Sequence, residues 1–330
     1  MKHPPLKIVF HGDNAANFRK GFEALIDPGH RIVDLSEGLQ LPGEREHYES
    51  ADVIVGIKLN DQLPTPRALR LFHAPAAGVD AVDIARLPAA ASLCNCFGHE
   101  HAIAEYVMTA LLSRHVPIAR ADADLRRQRW TYWAGRPTAL RSELGSQTVG
   151  LVGYGHISKA VAARAKAFGM RVHVANRSKV TDVLVDRAWG LDELPAFMGS
   201  ADAIIVTLPL TPQTAGIVGR AELAAMRADA VVVNVGRGPV IDEQALYDAL
   251  STRRIGGAII DTWYQYPSGD RPECAPSSLP FEALDNLVMT PHMSGWTLGT
   301  VRRRQQTIAD NIGRLLDGRE LVNVVAAARA

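Results

Sequence analysis

Between Val149 and Ser158 the chain reads Val-Gly-Leu-Val-Gly-Tyr-Gly-His-Ile-Ser, an apolar run that turns on glycines and continues into a helical pattern over Ile157–Phe168. Gly153 and Gly155 occupy the first two positions of G-x-G-x-x-G, and Ser158 takes the third. The first glycine permits a tight turn and the second a close backbone approach to a pyrophosphate. The third lets the helix pack on the strand, and serine is small enough for that. The amides of Gly155, His156 and Ile157 then face phosphates at a helix N-terminus. In a strand–turn–helix context this pattern predicts dinucleotide binding.

The surrounding pattern supports that context. Apolar runs at Thr148–Val152, Arg171–Ala175, Ala203–Leu208, Ala230–Val235, Gly257–Ile260 and Asn286–Met289 alternate with helical stretches at Leu191–Met198, Glu222–Met226 and Asp242–Leu250. Nearly continuous apolar strands imply a parallel sheet covered on both faces. Earlier runs at Leu6–Phe10, Ala51–Ile57 and Leu69–His73, with a helical stretch at Asn14–Ile26, read as a smaller α/β unit. Ala102–Ser113 and Leu298–Leu316 are further helices, and the C-terminus from Ala326 is expected to fray. The expected class is α/β, with two Rossmann-like domains of doubly wound parallel sheet and an active-site cleft between them. Residues 98–289 form the dinucleotide domain, and residues 1–97 plus 290–330 form a discontinuous substrate domain. A length of 330 residues suits two such domains.

The second strand of the dinucleotide unit ends at Asn176-Arg177-Ser178-Lys179. An NAD site usually places a carboxylate here to bond the ribose 2′-hydroxyl. Asn176 removes that carboxylate, and Arg177, with Ser178, can pair with a 2′-phosphate. NADP is therefore the expected cofactor, with NAD possible.

Composition narrows the function classes. Lys plus Arg is 36 against 35 for Asp plus Glu, a net charge of +1, which excludes the basic surface of a nucleic-acid binder. Cys94, Cys96 and Cys274 are too few and too poorly spaced for a zinc site, so no metal is expected. An odd, sparse cysteine set points to a reducing, cytoplasmic setting. Residues 1–10 read as neither a signal peptide nor a membrane segment, so no membrane partner is expected.

Three downstream segments extend the pattern: Val233-Asn-Val-Gly-Arg-Gly-Pro-Val-Ile-Asp-Glu243, Gly257-Ala-Ile-Ile-Asp261 and Thr290-Pro-His-Met-Ser294. With the glycine turn, Ala76-Ala-Gly-Val-Asp80 and Ala104-Glu105, their order and spacing resemble the D-isomer-specific 2-hydroxyacid dehydrogenases over nearly the whole chain. The resemblance implies hydride transfer between a nicotinamide dinucleotide and a small 2-hydroxy or 2-oxo acid, in a homodimer. By position it implies that Arg237 holds the substrate carboxylate and polarises its carbonyl, a task suited to a bidentate guanidinium. Backbone amides of Ala77, Gly78 and Val79 bind the same carboxylate. Thr207, Leu208, Pro209 and Val235 line the cofactor, Asp261 contacts the nicotinamide carboxamide, and His292 donates and accepts the proton.

The chain departs from that family at one catalytic position. A glutamate usually lies five residues after the Asp261 position and keeps the histidine protonated. This chain has Tyr266 there, in Asp261-Thr-Trp-Tyr-Gln-Tyr-Pro267; a shifted loop would use Gln265. Formate dehydrogenases depart here too, carrying glutamine. Either residue is neutral, and losing an adjacent anion lowers a histidine's pKa. Alternatives therefore stay open: oxidation of another small anion, as by formate and phosphite dehydrogenases, or a nucleotide-binding sensor with weak turnover. His99, Glu100 and His101 could supply a replacement acid. Trp130, Tyr132 and Trp133 read as packing residues of an arm.

Overall fold

The computed structural model describes residues 3–135, 137, 140–267 and 271–329. The chain divides into two units, Met1–His99 with Thr297–Ala330, and Glu100–Trp296.

The first unit opens with β1 (Lys7–His11), α1 (Gly12–Ala16), β2 (Arg31–Leu35), α2 (Glu44–Glu49), β3 (Val53–Val55), β4 (Leu71–His73) and β5 (Ser92–Cys94). These strands form a parallel sheet in the order β5-β4-β3-β1-β2. Side chains alternate across it. Ile8, Phe10, Val53, Val55 and Leu71 enter one core, while Val9, Ile54, Phe72 and Leu93 enter the core on the opposite face. Burial of both faces explains why the strands read as continuous apolar runs.

The expected helix over Asn14–Ile26 is corrected. α1 ends at Ala16, and a 3-10 turn follows at Phe22–Leu25. Gly21 sits at φ +79°, outside helical space, and the Gln305 amide takes the Phe18 and Lys20 carbonyls at 2.8 and 3.0 Å.

The second unit comprises α3 (Glu100–His115), α4 (Ile118–Arg126), β6 (Thr148–Val152), α5 (His156–Ala167), β7 (Arg171–Ala175), β8 (Arg187–Trp189), α6 (Leu194–Met198), β9 (Ala203–Val206), α7 (Arg220–Ala225), β10 (Val231–Asn234), α8 (Glu243–Ser251), β11 (Gly257–Ile260) and β12 (Leu287–Met289). Its seven parallel strands run β12-β11-β10-β9-β6-β7-β8. The chain winds one way from β6 through β8 and the other way from β9 through β12. The switch point lies between β6 and β9, where open α/β sheets bind ligands at strand C-termini. β6 ends there in the glycine turn. Ile204, Val206, Val232 and Ile260 fill one core; Leu151, Val174, Ile205, Val233 and Ile259 fill the other.

The chain then re-enters the first unit as α9 (Leu298–Asp317) and β13 (Val324–Ala326). The Thr297 hydroxyl accepts from the Thr300 amide at 3.2 Å, capping α9, and Gly318 at φ +66° ends it. Ile308, Ala309 and Ile312 cover the sheet. β13 pairs antiparallel with β5, an edge the sequence reading missed. The C-terminus is also not frayed as expected. The Ala328 amide donates to Ser92 Oγ at 3.1 Å and the Arg329 amide to the Ala89 carbonyl at 2.7 Å.

Candidate active site

The glycine turn is shaped for a phosphate group. Gly153 lies at φ +89°, and a Cβ there would sit 2.8 Å from Leu208 Cδ2, so only glycine fits. A Cβ on Gly155 would meet nothing within 4 Å, which leaves open space above the first turn of α5. The amides of that turn have no carbonyl partner within the helix and point outward. His156 is exposed and Ile157 half-buried. Ser158 is fully buried, and its hydroxyl meets Thr207 Oγ1 at 2.9 Å, while Thr207 Oγ1 donates to the Val152 carbonyl at 3.1 Å. The third motif position thus ties α5 to the end of β9. Beyond Thr207, Leu208 is buried and Pro209 exposed; Val235 is buried, its amide bonded to Val206.

Asn176 does more than vacate a carboxylate position. Its Oδ1 accepts from the Tyr154 amide at 3.1 Å and its Nδ2 donates to the Ser178 carbonyl at 2.9 Å, bracing the glycine turn against the end of β7. Arg177, Ser178 and Lys179 are exposed, and Arg177 makes no ion pair among the described residues. The glycine turn and the open first helical turn of α5 leave room for a phosphate group, and the exposed Arg177 and Lys179 stand at the neighbouring strand end.

Four predicted residues meet at the C-terminal ends of β10, β11 and β12. Asp261 is fully buried. Its Oδ1 accepts from Thr290 Oγ1 at 2.5 Å and from the Met293 amide at 2.9 Å, and its Oδ2 accepts from the Ser294 amide at 3.0 Å. This carboxylate therefore organises the turn that carries His292. Two groups the sequence reading missed assist it. Trp263 Nε1 donates to the Thr290 carbonyl at 2.8 Å, and Tyr106 hydroxyl meets Thr290 Oγ1 at 2.7 Å. The clue was available in the Thr-Pro-His-x-Ser run, whose flanking hydroxyl and amide groups can serve a buried acid. His292 itself lies at φ +57°, a left-handed conformation that a histidine adopts only under constraint.

Tyr266, at the position where the resemblance implies a glutamate, reaches the His292 ring. Its hydroxyl accepts from the Trp263 amide at 3.0 Å and lies 2.9 Å from His292 Nδ1. Gln265 is tied elsewhere through its backbone, its amide donating to Pro276 at 2.9 Å. Although His292 is open to solvent on one side, the protein crowding its ring lowers its pKa. Asp261 opposes that shift and Arg237 adds to it. Burial raises the Tyr266 pKa, so its hydroxyl stays neutral through the working range.

Arg237 is half-buried, with Nη1 donating to the Gly236 carbonyl at 2.9 Å. The glycines on either side explain its rigid placement. A Cβ on Gly236 would lie 2.7 Å from the Leu208 carbonyl oxygen, and one on Gly238 would collide with the Trp263 backbone. The Asn234 side chain closes the turn, donating to the Arg237 carbonyl and accepting from the Gly236 amide.

In the first unit the Ala77–Val79 loop is half-buried. Asn95 Nδ2 donates to the Ala77 carbonyl at 2.7 Å and the Cys96 amide to Ala76 at 2.9 Å. With the carbonyls so held, the amides of Ala77, Gly78 and Val79 donate to no protein acceptor among the described residues. Glu100 faces its neighbour His101 at 3.9 Å, while Trp130 and Trp133 are exposed beyond α4. Cys94 and Cys96 are buried, with thiols pushed up to about 12.

Comparison with known proteins identifies the family. Residues 108–294 match the D-isomer specific 2-hydroxyacid dehydrogenase, NAD binding domain. D-3-phosphoglycerate dehydrogenase of Methanocaldococcus jannaschii is 30% identical over 308 residues, 89% of this chain and 55% of that protein. The chain thus spans about half the length of that curated relative. A D-isomer specific 2-hydroxyacid dehydrogenase family protein of Aeromonas salmonicida superposes with a TM-score of 0.80 at 25% identity, over 97% of this chain and 98% of its own. An acyclic imino acid reductase solved with NADPH and D-Arg superposes with a TM-score of 0.77 at 25% identity, over 97% of this chain and 100% of its own. With more than half of its length matched to the family's cofactor-binding domain and its fold shared with solved members, the chain belongs to the D-isomer specific 2-hydroxyacid dehydrogenase family.

Proposed function

We propose that this chain is an oxidoreductase that exchanges a hydride between NADP(H) and a small 2-hydroxy or 2-oxo acid. The observation that carries the reading is His292, held in a strained turn by Asp261 and facing both Tyr266 and the charge of Arg237. The nicotinamide, when bound, supplies or takes up the hydride. The Arg237 guanidinium grips the substrate carboxylate and draws electron density toward the reacting oxygen. His292 moves the proton at Nε2, since Nδ1 is engaged by Tyr266. The amides of Ala77, Gly78 and Val79 suit a carboxylate oxygen. The asparagine at 176 and the exposed Arg177, without an ion pair among the described residues, support NADP over NAD.

A second copy of the chain is the partner this reading expects. Ile118, Leu125, Trp130 and Trp133 leave apolar surface exposed on and after α4. A cytoplasmic setting agrees with three unpaired cysteines, two of them buried. No helix among the described residues is long and apolar enough to cross a membrane.

The test is steady-state consumption of NADPH and of NADH with glyoxylate, hydroxypyruvate, pyruvate and phenylpyruvate. Turnover with at least one acid, faster with NADPH, is expected. Tight cofactor binding with no turnover of any acid would instead identify a nucleotide sensor.

A further inference from the structure

Resting on the hydride-transfer reading above, we propose that the Tyr266–His292 pair adapts this site to reduce the carbon–nitrogen double bond of 2-imino acids in preference to the carbonyl of 2-oxo acids. The Tyr266 hydroxyl already accepts from the Trp263 amide, and it has a single hydrogen. Its 2.9 Å contact with His292 Nδ1 can therefore run either way. The hydroxyl donates to a bare Nδ1, or an Nδ1–H donates to the oxygen. Both arrangements leave the imidazole neutral. A carboxylate in this place could only accept, and would hold the imidazolium by charge.

The charged and titratable groups facing the ring, among the described residues, are Asp261, Arg237 and Tyr266. Asp261 is engaged by Thr290, Met293 and Ser294, while burial and Arg237 lower the histidine pKa. The ring is therefore harder to protonate than an ordinary histidine.

The two substrates differ in what they ask of that histidine. When hydride adds to a 2-oxo acid, the C=O pair moves onto oxygen, which must take a proton from the protein. When hydride from the reduced nicotinamide adds to C2 of a protonated imine, the C=N pair collapses onto a nitrogen that already carries its protons. A neutral amine results, and the oxidised cofactor is the other product. With Nδ1–H directed at Tyr266, the Nε2 lone pair accepts a hydrogen bond from the iminium N–H, which an imidazolium would repel. Arg237 serves the carboxylate in either case.

The experiment follows NADPH consumption near pH 8 with pyruvate alone, with pyruvate plus methylamine, and with cyclic piperideine-2-carboxylate, and identifies products by mass. Methylamine should raise the rate about tenfold or more, the deficit set by histidine protonation, with N-methylalanine as the product. Tyr266→Glu should lower the imine-to-ketone ratio of kcat/KM about tenfold. Tyr266→Phe, which keeps the pair neutral, should retain that ratio while slowing both reactions. Pyruvate reduction unchanged by amine, with lactate the only product and no turnover of the cyclic imine, would overturn this inference and leave the hydride-transfer reading standing. No turnover of any substrate would overturn both.

Discussion

Replacing Asp261 by asparagine tests how the turn that carries His292 is held. The carboxylate accepts three hydrogen bonds in a fully buried site: Thr290 Oγ1 and the Met293 amide at Oδ1, and the Ser294 amide at Oδ2. In Asp261→Asn the carbonyl oxygen can keep the first two, but the new NH2 group then faces the Ser294 N–H. Flipping the amide keeps the Ser294 bond and lets the NH2 donate to Thr290 Oγ1, but turns the NH2 against the Met293 N–H instead. A buried amide left unpaired costs about 1–3 kcal/mol, and exchanging two charge-assisted bonds for neutral ones costs about 0.5–1 kcal/mol each. The expected loss is therefore about 2–5 kcal/mol. Trp130, Trp133, Trp189, Trp263 and Trp296 all lie in the Glu100–Trp296 unit, so tryptophan fluorescence during urea unfolding reads that unit alone. Relaxation of the turn also frees His292 from φ +57° and displaces it from Tyr266. A fall in kcat/KM of about a hundredfold is expected for such a misplacement. A variant destabilised by less than about 1 kcal/mol with wild-type kcat/KM would refute the reasoning.

Three further outcomes follow from the same geometry. Arg177→Ala should weaken NADPH by about 1–3 kcal/mol, the worth of a charge-assisted bond, and leave NADH nearly unchanged, as read by fluorescence titration; equal losses would remove the 2′-phosphate role. Arg237→Lys keeps the charge and loses the planar fork, so kcat/KM should fall by about a hundredfold with cofactor affinity preserved, and wild-type kinetics would exclude Arg237 from the chemistry. His73 is fully buried in the first unit, accepts from Asn311 Nδ2 at 2.9 Å, and has its pKa lowered to about 4 by burial. The unfolded chain binds the proton first as pH falls, so this stability is intact above pH ~6.5 and is lost between ~6.5 and ~4, to a total of about 3 kcal/mol; urea unfolding followed by circular dichroism over that range should show the decline, and a flat profile would contradict it.

The dinucleotide unit was legible because its signals are local. Glycines at 153 and 155 between an apolar run and a helical pattern allow one supersecondary unit, and fully buried parallel strands carry no polar face to obscure them. Short strands and edge strands were less visible. Arg187–Trp189 and Ser92–Cys94 are three residues each, and Arg31–Leu35 includes charged residues on a half-covered edge. β13 is defined by its partner β5, about 230 positions earlier, which no local pattern reveals. At the site, residue types in their motifs pointed to Arg237, Asp261 and His292, while the way they cooperate did not show. That Asp261 anchors the His292 turn depends on Thr290, Met293 and Ser294 converging on one carboxylate, and that Asn176 braces the glycine turn depends on a bond to Tyr154. Both are contacts between segments about 20–30 residues apart. The substitution of Tyr266 for a carboxylate was readable by position; its paired bonds to Trp263 and His292 were not.

The measurement that most directly tests the account is the pH dependence of kcat/KM for reduction of a 2-oxo acid by the wild type and by Tyr266→Glu. With burial and Arg237 lowering the His292 pKa and only a neutral hydroxyl at Nδ1, the wild-type rate should decline as pH rises, with an apparent pKa at or below about 6.5. The glutamate should move that value upward by about one unit or more. A wild-type apparent pKa well above about 7, unmoved by the substitution, would contradict the assignment of Tyr266 and His292 as the proton-handling pair.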